Sequence, residues 1–99
     1  MTRTVTIQIG NSDNKLSQNE WSHFFQLVKG AIDERVHQIH FEGASNPVAP
    51  WQNAAWVVIP FEHEVEELKR ELSLLCHSFR QDSIAWTEGE TEFIPAYKD

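Results

Sequence analysis

The run from Ala54 to Ile59 constrains the fold of this chain more than any other stretch of the sequence. It is uninterrupted by polar residues, and Pro60 ends it. A half-buried strand alternates apolar and polar residues, whereas a continuous apolar run is typical of a strand covered on both faces. We therefore expect this strand near the centre of a sheet, with material packed on each side of it.

A second strong signal marks the start of a helix. Ser17 and Glu20 have the spacing of a capping box, in which each side chain bonds the backbone N–H of the other residue. Leu16 and Trp21 have the spacing of a hydrophobic staple. Apolar residues recur on one helical face as far as Ile32, so the helix is expected to end within 33–35.

Periodicity predicts the remaining elements. Alternation predicts strands over 4–9 and 37–41, and leucines at helical spacing predict a second helix from about Glu62 to Phe79. A further strand is expected over 83–87, followed by a turn at 88–90, a short fifth strand over 91–94 and a tail over 95–99. The segment 42–50, with Pro47 and Pro50, is expected to be a loop.

This order of elements predicts an α+β domain of the ferredoxin-like βαββαβ type. Two right-handed crossovers give a four-stranded antiparallel sheet with both helices on one face. The first and third strands are central in this topology, in agreement with the apolar run from Ala54 to Ile59. A chain of 99 residues fits one domain over 1–99, with a core of about 4–94.

The second face of such a sheet has no helix to cover it. We expect the first strand to place Thr4, Thr6 and Gln8 there, and the second strand to place Gln38 and His40 there. For the third strand, the residues on this face are either Trp56 with Val58 or Val57 with Ile59. For the fourth strand, they are either Ile84 with Trp86 or Ser83 with Ala85 and Thr87. Every combination exposes two large apolar residues on the central strand, which predicts a homodimer paired through these faces or a loop over 42–53 that covers them.

Composition excludes several classes of function. The formal net charge is −7, which argues against direct binding to nucleic acid. Apolar runs are too short for a membrane span, and the first residues lack a secretory signal, so a cytoplasmic location is expected. Cys76 is the single cysteine and falls on the apolar face of the second helix, where a buried thiol is expected.

Chemical motifs are scarce. His37 and His40 point to opposite faces of a regular strand, so no metal site is predicted. Neighbouring residues of a helix diverge, so Cys76 and His77 do not form a catalytic pair. The glycines fit no phosphate-binding loop, and no cofactor is expected.

Three groups of residues are candidate contacts for a ligand or a partner. Trp51 and Gln52 follow the long loop and could line a pocket with His40 at the sheet edge. A cleft on the sheet could instead be lined by Trp51, Trp56 or Trp86, with His40 as its polar anchor. Residues 62–99 hold 10 acidic and 4 basic residues, so an acidic helix face with Glu66 and Glu67 could dock on a basic surface.

The sequence resembles small uncharacterised ferredoxin-like domains of bacteria and phages over roughly 4–94. The residues that carry the resemblance are the helix opening Ser17-x-x-Glu20-Trp21 and the junction Phe79-Arg80-Gln81-Asp82-Ser83-Ile84. The resemblance implies the same fold and transfers no catalytic residue. Small acidic domains of this size are common among phage-encoded inhibitors of host systems.

The sequence therefore favours a small non-enzymatic protein-interaction module, with a phage-type inhibitor of a host enzyme as its concrete form. One alternative is a protein that binds or sequesters a small molecule or nucleotide. A second alternative is an enzyme of the dimeric α/β-barrel type, for which His40 is the candidate acid or base.

Overall fold

The computed structural model describes residues 2–11, 15–46 and 51–98. The elements in chain order are β1 (Thr2–Gly10), α1 (Gln18–Arg35), β2 (Val36–Ala44), β3 (Asn53–Pro60), a 3-10 turn (Glu62–Glu64), α2 (Val65–Ser78) and β4 (Ala85–Thr91).

The four strands form one antiparallel sheet in the order β2-β3-β1-β4. Both helices contribute to a single core on one face of this sheet, so the βαββαβ ferredoxin-like arrangement is confirmed. β3 lies between β2 and β1, which is the central position that its apolar sequence predicts. Within the described ranges, neither helix has the length and apolarity needed to cross a bilayer.

The core follows from alternation on the two central strands. Val5 and Ile7 of β1 and Trp56 and Val58 of β3 point toward the helices, where each is at most 2% exposed. The helices add apolar side chains at helical spacing. These are Trp21, Phe24, Val28, Ala31, Ile32, Leu68 and Leu72.

The predicted start of α1 is confirmed at the atomic level. The Ser17 hydroxyl accepts a hydrogen bond from the Glu20 amide at 3.2 Å, and the Glu20 carboxylate accepts one from the Ser17 amide at 3.0 Å. This second bond is the largest cause that holds the pKa of Glu20 below its usual range. Arg80 donates to the other carboxylate oxygen at 2.7 Å and so joins the end of α2 to the start of α1.

The end of α2 requires a left-handed residue. The amides of Arg80 and Gln81 donate to the carbonyls of His77 and Cys76, which is the bonding pattern of a Schellman motif. Glycine usually occupies the left-handed position, whereas here Arg80 does so with a φ of 57°.

Several predicted boundaries were wrong. β2 runs to Ala44, so its last three residues lie in the segment expected to be a loop; residues 47–50 of that segment lie outside the described residues. A turn of 3-10 helix precedes α2, which begins at Val65.

The predicted turn at 88–90 was also wrong. Gly89 lies inside β4 opposite Thr4, and its φ is not positive, so the strand continues through it. β4 ends at Thr91, and residues 92–98 contain no strand, so the fifth strand over 91–94 is not formed there.

Candidate interaction surface

The face of the sheet opposite the helices, hereafter the open face, is defined by the strand register. Side chains of a strand alternate between the two faces, so the residues that alternate with the buried core residues lie on the open face. The pairing of the strands then gives the neighbours of these residues on the same face. These residues are Thr2, Thr4, Thr6, Gln8 and Gly10 of β1; Asn53, Ala55, Val57 and Ile59 of β3; Ala85, Thr87, Gly89 and Thr91 of β4; and Gln38, Phe41 and Gly43 of β2. None of these open-face positions, all within the described residues, is Asp, Glu, Lys or Arg.

The charged residues of the strands all lie on the helix side. Arg3 and Glu90 are paired across β1 and β4, and Glu88 lies opposite the buried Val5. Glu42 lies opposite the buried Trp56. In a two-layer domain the solvated face of the sheet normally carries the polar and charged residues. Here the open face carries polar residues but no charged ones, and the charged residues lie on the helix side.

Burial and strand pairing show which residues of β3 and β4 lie on the open face. Val57 and Ile59 lie on the open face, whereas Trp56 and Val58 are fully buried beneath the helices. In β4, Ala85 and Thr87 lie on the open face and Trp86 lies on the helix side, whereas Ser83 and Ile84 precede the strand.

Trp56 and Trp86, two of the three tryptophans proposed to line a sheet cleft, lie on the helix side opposite Ile7. The Trp56 indole N–H donates to Glu42 at 2.7 Å, and the Lys69 ammonium lies 5.0 Å from the centre of the Trp86 ring. They do not share a cleft on the open face.

The structure of β2 corrects the expected composition of the open face. Its pairing with β3 shifts at His37 and again at His40, and each of these residues has no Cα partner on β3. Because the alternation restarts after each shift, Phe41 lies opposite Val57 on the open face. Regular alternation predicted Phe41 on the helix side with Ile39. The pattern of apolar and polar residues does not reveal a bulge, so sequence reasoning placed Phe41 on the wrong face.

Phe41 lies over a glycine. A Cβ built on Gly43 would come within 2.5 Å of Cζ of the Phe41 ring, so the ring occupies the space that a side chain at 43 would fill. The Phe41 side chain is nevertheless 54% exposed. Beside it is a cavity of about 270 Å³, whose lining includes Gly43, Ala55, Gln8 and Asn53. The result is a shallow apolar depression with amide groups at its rim.

The segment after β4 crosses the open face. Its start is fixed by the hydroxyls of Thr91 and Thr4, which are 2.7 Å apart. Two residues later, the ring of Phe93 lies 6.4 Å from the ring of His40 on β2, at the opposite edge of the sheet. His40 and Phe93 line one cavity together with Thr2 and Ile59. We call residues 92–98 the arm; its side chains Phe93, Ile94 and Tyr97 are 69%, 86% and 91% exposed.

Trp51 and Gln52, which follow the long loop, differ in their exposure to solvent. Trp51 is 55% exposed, whereas Gln52 is buried. The Gln52 carbonyl oxygen atoms accept from the amide and the side chain of Asn11, and its side-chain amide donates to Gln18 at 2.9 Å. Gln52 is therefore held inside the domain. It lines a cavity near Trp21, separate from the one that His40 lines, so the predicted pocket with His40 is not assembled around Gln52.

Asn11 is the buried partner that sequence reasoning missed. Its side chain accepts from the Leu16 amide at 3.0 Å and donates to the Leu16 carbonyl at 2.9 Å. It also donates to the Gln52 side chain at 2.9 Å. These bonds tie the end of β1 to the entry of α1 and to the start of β3.

The acidic helix is partly neutralised. Glu67 pairs with Arg70 at 3.4 Å, and Arg35 of α1 bonds Glu71 and lies 3.7 Å from Glu64. Glu66 is exposed on α2. The negative potential of this face is therefore weaker than the number of its carboxylates indicates.

The perturbed titrating groups lie on the helix side. Glu42 accepts hydrogen bonds from Lys29 at 2.9 Å and from Trp56 at 2.7 Å, and the bond from Lys29 is the largest cause that lowers the pKa of Glu42. Burial raises the pKa of the Cys76 thiol, which donates to the Gln81 carbonyl. Over residues 2–11, 15–46 and 51–98, no three His, Cys, Asp or Glu side chains are grouped to hold a metal ion.

Comparison with known proteins supports the fold. No protein-family model matches the chain, and no curated protein matches its sequence. Among solved structures, the chain is similar to formyltetrahydrofolate deformylase from Burkholderia mallei, with a TM-score of 0.54 and 13% identity. The similarity covers 89% of this chain but 27% of that protein, so this chain spans about a quarter of its length. At this identity the similarity shows a shared fold.

Proposed function

We propose that this protein is a small non-enzymatic protein-interaction module that pairs with a second copy of itself through the open face. The observation that carries the proposal is the absence of charge from every described strand position on that face, in a chain with a net charge of −7. Two copies repel each other overall, and an uncharged face is the surface on which they can approach with the least repulsion.

The shape and composition of the face support pairing. Its centre consists of threonines and small or branched apolar residues, such as Thr6, Ala55 and Val57, which form a flat surface. Phe41 adds a large exposed ring at the β2 edge. Sheets pack face to face at about 10 Å through side chains of this kind. Pairing would also cover the second side of β3, as the continuous apolar run of that strand requires.

Edge-to-edge pairing is a less favourable way to join two copies. β4 is an edge strand with free backbone groups, but it carries Glu88 and Glu90. Two copies of β4 side by side would bring these carboxylates together, and like charges on neighbouring strands are destabilising. The other edge strand, β2, is interrupted by its two register shifts. The open face is therefore the better surface for self-association.

The experiment is to place a charge at the centre of the open face. Thr6 lies between Val57 of β3 and Thr87 of β4. In Thr6→Glu, two carboxylates would face each other across the interface, so we expect the dimer to be at least ~100-fold weaker. Sedimentation velocity over about a hundredfold range of protein concentration measures this change.

The matched control is Ser73→Glu, which adds the same charge to an exposed position of α2. We expect this variant to remain as dimeric as the unmodified chain. A mixture of Thr6→Glu and Thr6→Lys should recover dimers, because the two charges then attract. A monomeric unmodified chain, or equal dimerisation of Thr6→Glu and Ser73→Glu, would contradict the proposal. The role as an inhibitor of a host enzyme stays a prediction from the sequence.

A further inference from the structure

We infer that the arm, residues 92–98, crosses onto the open face of the second copy, where Tyr97 enters the cavity beside Phe41. The inference rests on the pairing proposed above and adds to it the segment that completes the interface.

The exposure of the arm is the first observation. Single exposed apolar side chains are ordinary on a protein surface, but clusters of them mark contact sites. Phe93, Ile94 and Tyr97 lie within five consecutive residues and are among the most exposed large apolar side chains of the described chain. Every residue of the arm is exposed. Glu92 and Lys98 carry opposite charges, so the described arm has no net charge and suits an uncharged face.

The path of the arm is the second observation. Phe93 already lies on the open face beside His40, so the arm runs in the layer where a second sheet would pack. From Phe93 to Tyr97 an extended chain spans about 13 Å, which exceeds the ~10 Å between packed sheets. Tyr97 can therefore reach the second copy.

The orientation of the symmetry axis decides where the arm arrives. Dimers of identical chains usually have a two-fold axis. We place the axis between the sheets and perpendicular to the strands, because this orientation brings together the two β2 edges, where Phe93 and the cavity beside Phe41 both lie. It also inverts the strand direction. The end of one sheet that holds Thr2 and Ile59 then lies over the end of the other that holds Gly43 and Asn53. The arm of one copy thus meets the cavity beside Phe41 of the other.

The chemistry of this cavity suits a tyrosine. It is a shallow, open depression of about 270 Å³ in which one aromatic ring can lie, and Gly43 and Ala55 form an apolar part of its lining. Gln8 and Asn53 supply side-chain amides at the same cavity. A buried tyrosine requires both features, because its ring is apolar and its hydroxyl needs a hydrogen-bond partner.

The area of the interface gives an independent reason for the arm. Four strands at ~4.8 Å and about seven residues at ~3.3 Å give the open face a flat area of roughly 440 Å². A stable interface buries about 800 Å² on each partner. Accessible surface follows each side chain and so exceeds the flat area of the same face, but the face is still modest by this standard. An extended arm of seven residues, exchanged in both directions, enlarges the interface.

The first test compares dimer dissociation constants by sedimentation velocity. Removal of residues 92–99 should weaken the dimer at least ~10-fold. Tyr97→Ser should weaken it by a similar factor, whereas the control Ala96→Ser, in the same arm, should not. If the shortened chain dimerises as tightly as the full chain, the arm is not part of the interface and the pairing of open faces stands without it. If the full chain is monomeric, the pairing itself is wrong, and the arm inference fails with it.

The second test identifies the partner of Tyr97 by cross-linking. In a Cys76→Ser background, a chain with Tyr97→Cys is mixed with a chain with Ala55→Cys under oxidising conditions. We expect a covalent dimer of the two different chains, because the arm of one reaches the cavity of the other. The control pair, Tyr97→Cys with Ser73→Cys on the outer side of α2, should give none. If a single chain with both Tyr97→Cys and Ala55→Cys closes a disulfide within itself, the arm covers its own face and the inference is wrong.

Discussion

Asn11 shows how much of this domain depends on single buried polar residues. It is 2% exposed, and its side chain makes three hydrogen bonds, two of them to the backbone of Leu16. A buried polar group that loses its partner costs about 1–3 kcal/mol. Asn11→Ala would leave groups of both Leu16 and Gln52 without partners. We expect the free energy of unfolding to fall by about 2–3 kcal/mol.

Urea denaturation of Asn11→Ala measures this effect. Asn19→Ala, on the exposed side of α1, is the matched control and should change stability by less than ~0.5 kcal/mol. Equal midpoints for the two variants would show that the bonds of Asn11 contribute no net stability.

A second prediction at the scale of the residue concerns Glu42 and the dependence of stability on pH. Its pKa lies below the ordinary value of 4.5, chiefly because Lys29 donates a hydrogen bond to it. A carboxyl group with a lowered pKa in the folded state stabilises that state above its unfolded pKa and loses this contribution as the pH falls through the folded pKa. We therefore expect Glu42→Gln to be less stable than the unmodified chain at pH 7, and the difference to shrink below about pH 4.5.

Denaturation series at several pH values check this prediction. Glutamine keeps a carbonyl oxygen for the Trp56 indole N–H, so the comparison isolates the charge. Glu42→Ala removes that acceptor too and should be the less stable of the two variants at every pH. A stability difference between Glu42→Gln and the unmodified chain that does not change with pH would contradict the prediction.

At the scale of the element, the two glycines on the edge strands behave differently. Nothing lies within 4 Å of a Cβ built on Gly89, whereas a Cβ on Gly43 would meet the Phe41 ring. Alanine costs less conformational entropy than glycine in a strand. We expect Gly89→Ala to raise the free energy of unfolding by about 0.5 kcal/mol. In Gly43→Ala the same gain is offset because the ring of Phe41 must move.

Thermal or urea unfolding of the two variants, with Gly30→Ala on the exposed side of α1 as a helical comparison, tests this difference. If Gly43→Ala is stabilised as much as Gly89→Ala, the Phe41 ring does not depend on the absence of a side chain at 43.

At the scale of the whole molecule, the first feature is the elongated shape of the chain. The radius of gyration is 14.9 Å and the longest dimension is 51 Å. A compact domain of this length has a radius of gyration of about 13 Å. The molecule is therefore more extended than a sphere, in keeping with an arm that lies mostly outside the core.

The net charge of −7 leads to a prediction about salt. Two like-charged copies repel each other, while the surface that joins them is uncharged. Salt screens the repulsion without weakening contacts in the interface. We expect the dimer to become roughly 3–10-fold tighter between about 0.02 and 0.3 M NaCl. Sedimentation at both salt concentrations measures this, and a dimer that weakens with salt would indicate an interface held by opposite charges instead.

The sequence by itself determined the order of the elements and the local signals within them. The capping box at Ser17 and the apolar run from Ala54 to Ile59 act over a few residues, so their patterns can be recognised without the fold. The continuous strand through Gly89 could not be recognised in this way, because a glycine flanked by glutamates favours a turn unless a neighbouring strand supplies partners.

Only the tertiary structure decided the composition of the open face. The register shifts in β2 move Phe41 to that face, and they arise from pairing with β3, which the local pattern of β2 does not contain. The segregation of Arg3, Glu42, Glu88 and Glu90 to the helix side likewise depends on four strands meeting in one register. Local patterns specify elements because they depend on neighbouring residues, whereas a surface is assembled from residues that only folding brings together.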